Sequence, residues 1–463
     1  MDAVGSAENP LRVAIVGSGP AGFYAAGQLL GSADPVVTVD VFDRLMTPWG
    51  LVRFGVAPDH PKIKSVTRVF ERTARQPGFR FHGNVEVGTD VTHDELAAAY
   101  HAVLYAVGTP GDRRLGVPGE DLPGSESATE FVAWYNGHPD YADMDFDLSS
   151  RRAVVIGNGN VALDVARMLA LSVHELSVTD IADHALELLH DSQVKEIVVL
   201  GRRGPAQAAF THPELLELAE LELADVIVDP AEVALDPAGV AALQDAEGTT
   251  QRNVETLIRY AGAPPAGKPK RIVLRFLCSP VALEGDGRVQ AVVVERNELV
   301  ADADGQIRAR PTGETERIEA GLVLRAIGYV GKPLPGVPFD ERRQTALNRD
   351  GRVLDPGTHE PIPGVYAAGW IKRGPSGVIG TNKRCAQETT QHLLADFAEG
   401  LLPEPARSPE SLLEDLRERG ITIVDYSGWE AIDAHERALG ESSGRPRVKL
   451  VRREDQLSRS VPA

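Results

Sequence analysis

At 463 residues the chain is too long for one hydrophobic core, and two or three domains are expected. Its 43% hydrophobic and 25% charged residues suit a soluble globular protein, and a formal net charge of −19 makes nucleic acid and anionic membrane poor general partners, leaving room only for a local basic patch. The two cysteines, Cys278 and Cys385, lie too far apart for a CxxC redox pair, a zinc-finger spacing or a cysteine-ligated cluster, and fit a reducing compartment.

The acidic N-terminus has no apolar signal core, and no apolar run reaches membrane-spanning length, so a cytoplasmic enzyme is expected, as a monomer or weak dimer. LRVAIV, from Leu11 to Val16, reads as a short buried strand. GSGPAG then runs from Gly17 to Gly22 and opens a helix-compatible stretch, FYAAGQLL; a second apolar strand follows and ends at Asp43. This is the order of a dinucleotide-binding unit. Gly17 permits the tight turn, Gly19 admits a pyrophosphate, Gly22 lets the helix lie on the strand, and Pro20 and Ala21 open the helix whose amides face the phosphates. Asp43 stands where an acid accepts hydrogen bonds from a ribose. An Ala-x-Gly run followed by Pro and Gly, Ala106 to Gly119, then has the composition of an interdomain linker.

The unit recurs. RRAVVI, Arg151 to Ile156, is followed by GNGNVALDVARML, with Gly157, Gly159 and the small Ala162 at the three positions. Asn158, Asn160 and Val161 lie in this turn and are expected to meet a pyrophosphate mainly through backbone amides; Asp164 is expected to pack or cap. A polar, acidic insertion from Ser172 to Ser192 delays the second strand, whose end carries Arg202 and Arg203 between two glycines. An acid at that position suits a free ribose hydroxyl; an arginine suits a 2'-phosphate, which it can clamp with paired hydrogen bonds. The first unit is thus expected to hold a dinucleotide without that phosphate and the second NADP, and the pair suggests FAD plus NADPH with hydride transfer between them. A second Ala-x-Gly run, Ala326 to Pro338, is the other candidate linker.

Several longer motifs resemble one family. TPWGLVRFGVAPDHPKIK (Thr47 to Lys64), PGVYAAGWIKRGPSGVIGTNK (Pro363 to Lys383), GRRGPAQAAFTHPEL and the terminal GRPRVK resemble the adrenodoxin reductase-like ferredoxin–NADP reductases, in particular their actinobacterial branch. Gly369-Trp370 stands where most two-dinucleotide flavoproteins carry Gly-Asp. The resemblance implies two Rossmann-like domains in a glutathione reductase-like α/β fold. The FAD domain would be discontinuous, 1–108 and 331–463 with a C-terminal extension, and an NADP domain, 109–330, would be inserted in it. It further implies that Gly50 and Leu51 approach the flavin, that Trp370, Gly377, Val378 and Ile379 flank it, and that His60 and Glu214, the candidate catalytic groups, lie as a pair near the nicotinamide. Val87 and Gly108 complete the candidate FAD contacts, and Lys383 and Arg384 are candidates to balance an anionic reduced flavin. No metal is expected. The implied activity is ferredoxin–NADP(+) reductase, with a small acidic ferredoxin as partner. Its docking face is expected among Arg252, Arg259, Lys268, Lys270 and Arg271. The alternatives are an NADPH-dependent flavoprotein for another acceptor, such as a quinone or a glutamate synthase-like module, and a non-enzymatic nucleotide sensor; a thioredoxin reductase would need the missing CxxC.

Overall fold

The computed structural model describes residues 3–235, 240, 243, 248–302 and 306–460. Its two parallel-cored sheets are built alike. In the first, Leu11–Val16 lies between Val37–Asp43 and Ala102–Tyr105, all parallel, with Phe79–Gly83 beyond one and Pro361–Ala367 beyond the other; the short antiparallel strands Arg352–Leu354 and Asn348–Arg349 close that side. In the second, Arg152–Ile156 lies between Glu196–Leu200 and Leu322–Arg325, flanked by Lys270–Arg275 and Ala224–Val228 on one side and Ser125–Ser127 on the other. The central strands are near-continuous apolar runs because both faces of each sheet are covered. An antiparallel meander, Cys278–Glu284, Ala291–Ala301 and Ile307–Glu319, packs Val292, Val294 and Ile318 against Val154, Val198 and Leu200 of the second sheet.

Strand, glycine turn and helix form as expected at both units, with helices Pro20–Leu30 and Asn160–Ala170. The Ser172–Ser192 stretch is not a plain insertion. Ser172 and Glu175 form a reciprocal cap for helix Val173–Ser177, and helix Asp183–His190 buries Ala185 and Leu189. The two Ala-x-Gly segments pair with each other, Asp112 opposite Tyr329 and Gly111 opposite Val330.

The C-terminal GRPRVK segment crosses from one sheet region to the other. Arg447 binds Asp433 (2.6 Å) and Glu436 (3.1 Å), while Arg445 reaches the Thr179 carbonyl (2.9 Å). Lys449, fully buried, donates to the Arg53 carbonyl and to Asn136 Oδ1, both at 3.3 Å, and faces Asp180 at 3.4 Å. Its contacts therefore come from both sheet regions. Among the described residues, no helix is long and apolar enough to cross a membrane.

Candidate functional site

The first glycine turn is shaped by what cannot fit there. Gly17 has φ +103, and a Cβ on it would sit 2.7 Å from the Ala106 carbonyl oxygen. A Cβ on Gly22 would sit 2.1 Å from the Gly17 carbonyl, so the helix lies directly on the turn. A Cβ on Gly19, by contrast, would meet nothing within 4 Å: there the backbone faces open space, with the amides of helix Pro20–Leu30 behind it. Asp43 is held at the end of its strand. One carboxylate oxygen accepts from the Ser18 amide (2.8 Å) and hydroxyl, the other from the Leu45 amide (2.9 Å). A carboxylate offers about four acceptor sites, so one remains for a ribose hydroxyl.

The TPWG turn folds onto this site. Trp49 and Gly50 both have positive φ, 87° and 49°, a strained conformation for a bulky residue. The strain is held by burial of Trp49 edge-on against Trp429 (4.8 Å) and by its amide's bond to the Ser18 carbonyl (2.9 Å). A Cβ on Gly50 would lie 3.0 Å from Gly19 Cα, so the two backbones are stacked, with Leu51 exposed beside them. From the other end of the chain, Gly369 (φ +74) approaches so closely that a Cβ would sit 2.6 Å from that of Ala21. Trp370 follows, its indole donating to the Ser376 carbonyl (3.2 Å); Gly377 (φ +77) turns the chain, and Val378 caps helix Ile379–Ala398. Gly108 opens onto free space. Three buried donors near the site have no partner among the described residues: Trp49 Nε1, Thr47 Oγ1 and Thr109 Oγ1. Open glycine backbone with orphaned donors fits an extended dinucleotide such as FAD. Val87 packs among apolar core residues and pairs with Val91. Lys383 and Arg384 are exposed. The more enclosed cation is Arg373, which the sequence did not single out; it donates to the Ser376 carbonyl (2.9 Å) and Asn382 Oδ1 (3.2 Å), leaving Nε and Nη1 buried with no partner among the described residues.

The second turn repeats the geometry. Gly157 has φ +138 and would place a Cβ 2.2 Å from the Ala326 carbonyl, while Gly159 is open. Asn160 Oδ1 accepts from the Thr211 amide (2.8 Å) and Asn158 O from the Ala209 amide (3.0 Å), tying the turn to the 205–217 segment. Val161 packs against the core. Asn158 Nδ2 and both polar atoms of the Gln207 side chain are buried with no partner among the described residues, and the sequence did not single out Gln207. Arg202 and Arg203 are exposed, and neither guanidinium meets an acid among the described residues. Their backbones are pinned, the Arg202 carbonyl by Asn297 Nδ2 (3.0 Å) and the Arg203 carbonyl by the Leu277 amide (3.2 Å).

Between the two turns lies a buried cluster of charge. His60, from the segment after TPWG, is 9% exposed; its Nε2 lies 2.7 Å from Glu217 Oε2 but 3.9 Å from Glu214, and its Nδ1 lies 4.0 Å from Asp164. The expected His60–Glu214 pair is therefore a His60–Glu217 pair, one helical turn further on, with Glu214 deeper in. Arg167 sits centrally, binding Asp59 (2.7 Å), Asp164 (2.8 Å) and Glu214 (3.4 Å). Asp164 thus belongs to the cluster and does not cap its helix. Burial pushes the Glu214 carboxyl up to about 7, and the nearby Asp164 charge adds to this against the pull of His60 and Arg167. Asp164 is also raised, again chiefly by burial. Tyr329 from the linker stands next to Trp370, ring centroids 5.2 Å apart, and burial with the Asp164 charge pushes its hydroxyl up to about 12. Four carboxylates surround one arginine, so the cluster favours retaining a proton. His60, Glu214 and Glu217 could also geometrically hold a cation, but Arg167 already lies within 3.5 Å of both glutamates.

The five expected docking cations do not form one face. Arg252 and Arg259 are exposed on helix Gly248–Gly262, which packs against the 205–217 segment: His212 Nδ1 and Asn253 Oδ1 are 3.1 Å apart. The other three sit at the start of strand Lys270–Arg275, the end opposite the glycine turn. Lys268 donates to the Leu221 carbonyl, Lys270 to that of Leu169 (2.8 Å), and Arg271 pairs with Glu196.

Two glycine turns in parallel sheets, with a titratable cluster that joins the segment after the first to the helix after the second, define a two-dinucleotide oxidoreductase. Residues 11–199 match the family model described as pyridine nucleotide-disulphide oxidoreductase. The chain is 50% identical over 446 residues to an NADPH-ferredoxin reductase of Mycobacterium leprae, covering 95% of this chain and 96% of the relative. It is 41% identical to a mitochondrial NADPH:adrenodoxin oxidoreductase of Arabidopsis thaliana, covering 98% and 96%. The solved structure of Mycobacterium tuberculosis FprA in complex with NADPH superposes with a TM-score of 0.92 at 47% identity, covering 98% of this chain and all of that one. The chain belongs to the ferredoxin–NADP reductase family.

Proposed function

We propose that this protein is a ferredoxin–NADP(+) reductase that takes hydride from NADPH onto FAD and passes single electrons to a ferredoxin-type iron–sulfur protein. The observation that carries the reading is the contrast between the two strand ends: an anchored acid at Asp43 and, at Arg202 and Arg203, two exposed arginines without an ion pair among the described residues. FAD, when bound, accepts two electrons together and returns them singly. The chain's own residues bind and orient. The first turn, Gly50 and the 369–379 segment hold the flavin dinucleotide. Gly157 to Val161 hold the NADPH pyrophosphate, and Arg202 and Arg203 its 2'-phosphate. His60 and Glu214 position the nicotinamide end, with Glu217 fixing the His60 ring and the Arg167 network keeping a proton beside Glu214. The domain assignment follows the sheets: FAD on 1–108 and 331–463, NADP on 109–330. A cytoplasmic location and a small acidic partner complete the proposal.

The purified protein should show a bound-flavin visible spectrum and reduce ferricyanide with NADPH far better than with NADH. A colourless protein that FAD cannot reconstitute, or equal use of both nucleotides, would overturn the reading.

A further inference from the structure

The segment that carries His60 is tied to the second sheet region at two points, and the cluster described above contains only one of them. His60 Nε2 lies 2.7 Å from Glu217. One helical turn further, Lys64 Nζ lies 2.5 Å from Asp180 Oδ1. His60 caps the short helix Pro61–Lys64, and its carbonyl accepts from the amides of Ile63 (3.2 Å) and Lys64 (3.3 Å). Whatever holds Lys64 therefore holds the backbone from which the His60 ring projects.

Asp180 is 7% exposed and sits in the turn between helices Val173–Ser177 and Asp183–His190. The turn is seated by Ile181 and Ala182, both buried in the core of the second sheet, and by the Ala182 amide on the Tyr135 carbonyl (2.9 Å). One Asp180 oxygen takes Lys64; the other faces the fully buried Lys449 at 3.4 Å. Burial opposes the charge on Asp180, but Lys449 and Lys64 hold its carboxyl well below the usual carboxylate range, so it stays ionised. Lys449 comes from the C-terminal segment, whose next two side chains part. Leu450 packs against the core that holds Trp49 and Trp429, and Val451 against the core of the second sheet. The Leu450 amide is fixed by Glu436 Oε1 (2.9 Å), and Arg445 holds the Asp180 turn through the Thr179 carbonyl (2.9 Å). One buried carboxylate thus gathers segments around residues 64, 180 and 449. Buried charges persist only when paired in good geometry, so such a contact selects one arrangement of its parts.

We infer that Asp180 is a positioning residue for hydride transfer: through Lys64 it fixes the helix that presents His60, and through Lys449 it fixes the C-terminal segment against the second sheet region, so that the nicotinamide end of one nucleotide meets the flavin of the other. This inference rests on the proposed function. Misplacing reacting groups by about 1 Å can cost about 100-fold in rate, so a remote anchor of this kind is read in the hydride step itself. The test uses the flavin-loaded enzyme in anaerobic stopped flow. Lys64→Met keeps the Asp180–Lys449 contact and frees the His60 helix, whereas Asp180→Asn frees both. At saturating NADPH the limiting rate of flavin reduction should fall about fivefold in Lys64→Met and further in Asp180→Asn, while ferricyanide reoxidises dithionite-reduced enzyme at the wild-type rate and the flavin spectrum stays unchanged. Because Lys64 acts through His60, Lys64→Met should slow a His60→Ala enzyme by less than about twofold. A Lys64→Met limiting rate within about twofold of wild type, or a double variant slowed by the full product of the two single effects, overturns the positioning role. Should Lys64→Met shed its flavin, Lys64→Gln carries the same readout; flavin loss from both marks a folding contact and also overturns it. A wild-type protein that binds no FAD, or whose flavin NADPH does not reduce, overturns the functional reading instead.

Discussion

The two glycine turns share a backbone design and differ in how they are covered. The first is walled by remote segments: Gly50 lies on Gly19, Gly369 on Ala21, and Asp43 has three of its acceptor sites occupied. The second is closed on one side by the Ala326 carbonyl but ends in two exposed arginines that make no ion pair among the described residues. A ligand in the first must be threaded between segments from both ends of the chain, which suits a resident cofactor. A ligand in the second meets charge at the surface and can leave, which suits a substrate.

That comparison is broken most severely at its glycines. Gly17→Val should yield protein without retained flavin, because the residue needs positive φ and its Cβ meets Ala106. Gly157→Val should remain yellow yet resist reduction by NADPH; absorbance during anaerobic NADPH titration separates the two, and equal flavin loss from both would erase the distinction. Next in size, Arg202→Ala/Arg203→Ala should raise KM for NADPH roughly 100-fold and leave NADH nearly unaffected, since each charge-assisted bond is worth about 1.5–3 kcal/mol. Steady-state kinetics with both nucleotides checks this.

Smaller effects belong to the cluster between the turns. Glu217→Gln should lower kcat/KM for NADPH about three- to tenfold by loosening His60, without changing flavin content. The smallest concerns Glu214. Its folded pKa of about 7 lies above its ordinary value near 4.5, so the folded state prefers the protonated form and wild-type stability falls as pH rises through that window. Glu214→Gln lacks this loss, so its Tm relative to wild type should improve by ~2–4 °C between pH 5 and pH 8. An unchanged Tm difference would show that Glu214 titrates normally.

The sequence revealed those features that are local. A strand, a glycine turn and a helix are adjacent in the chain, and the identity of the residue after the next strand follows from spacing, so both turns, Asp43, Arg202 and Arg203 could be found by reading along it. What it hid depends on distant segments meeting. Glu217 displaces Glu214 as the His60 partner because the helix presents one turn to the 55–64 segment, and no local pattern marks which turn. Tyr329, Gln207 and Arg373 look ordinary in their neighbourhoods; burial by remote segments makes them candidates. The 172–192 stretch reads as an insertion because acids and histidines punctuate its apolar residues, yet one reciprocal cap and the buried Leu176, Ala185 and Leu189 suffice for two helices packed on a neighbour.

The split first sheet also dictates a timetable for the nascent chain. Strand Ala102–Tyr105 emerges early, but its neighbour Pro361–Ala367 is translated only after the whole second sheet. Until then one side of the first sheet is an unpaired edge, and Ala21 lacks the Gly369 lid. All strands of the second sheet lie in one continuous stretch, 125–325, so that sheet has its full set of strands before the first receives its last ones. Synthesis halted near residue 330 would leave a folded nucleotide-binding unit joined to an unfinished sheet, making that interval the chain's period of greatest exposure to aggregation.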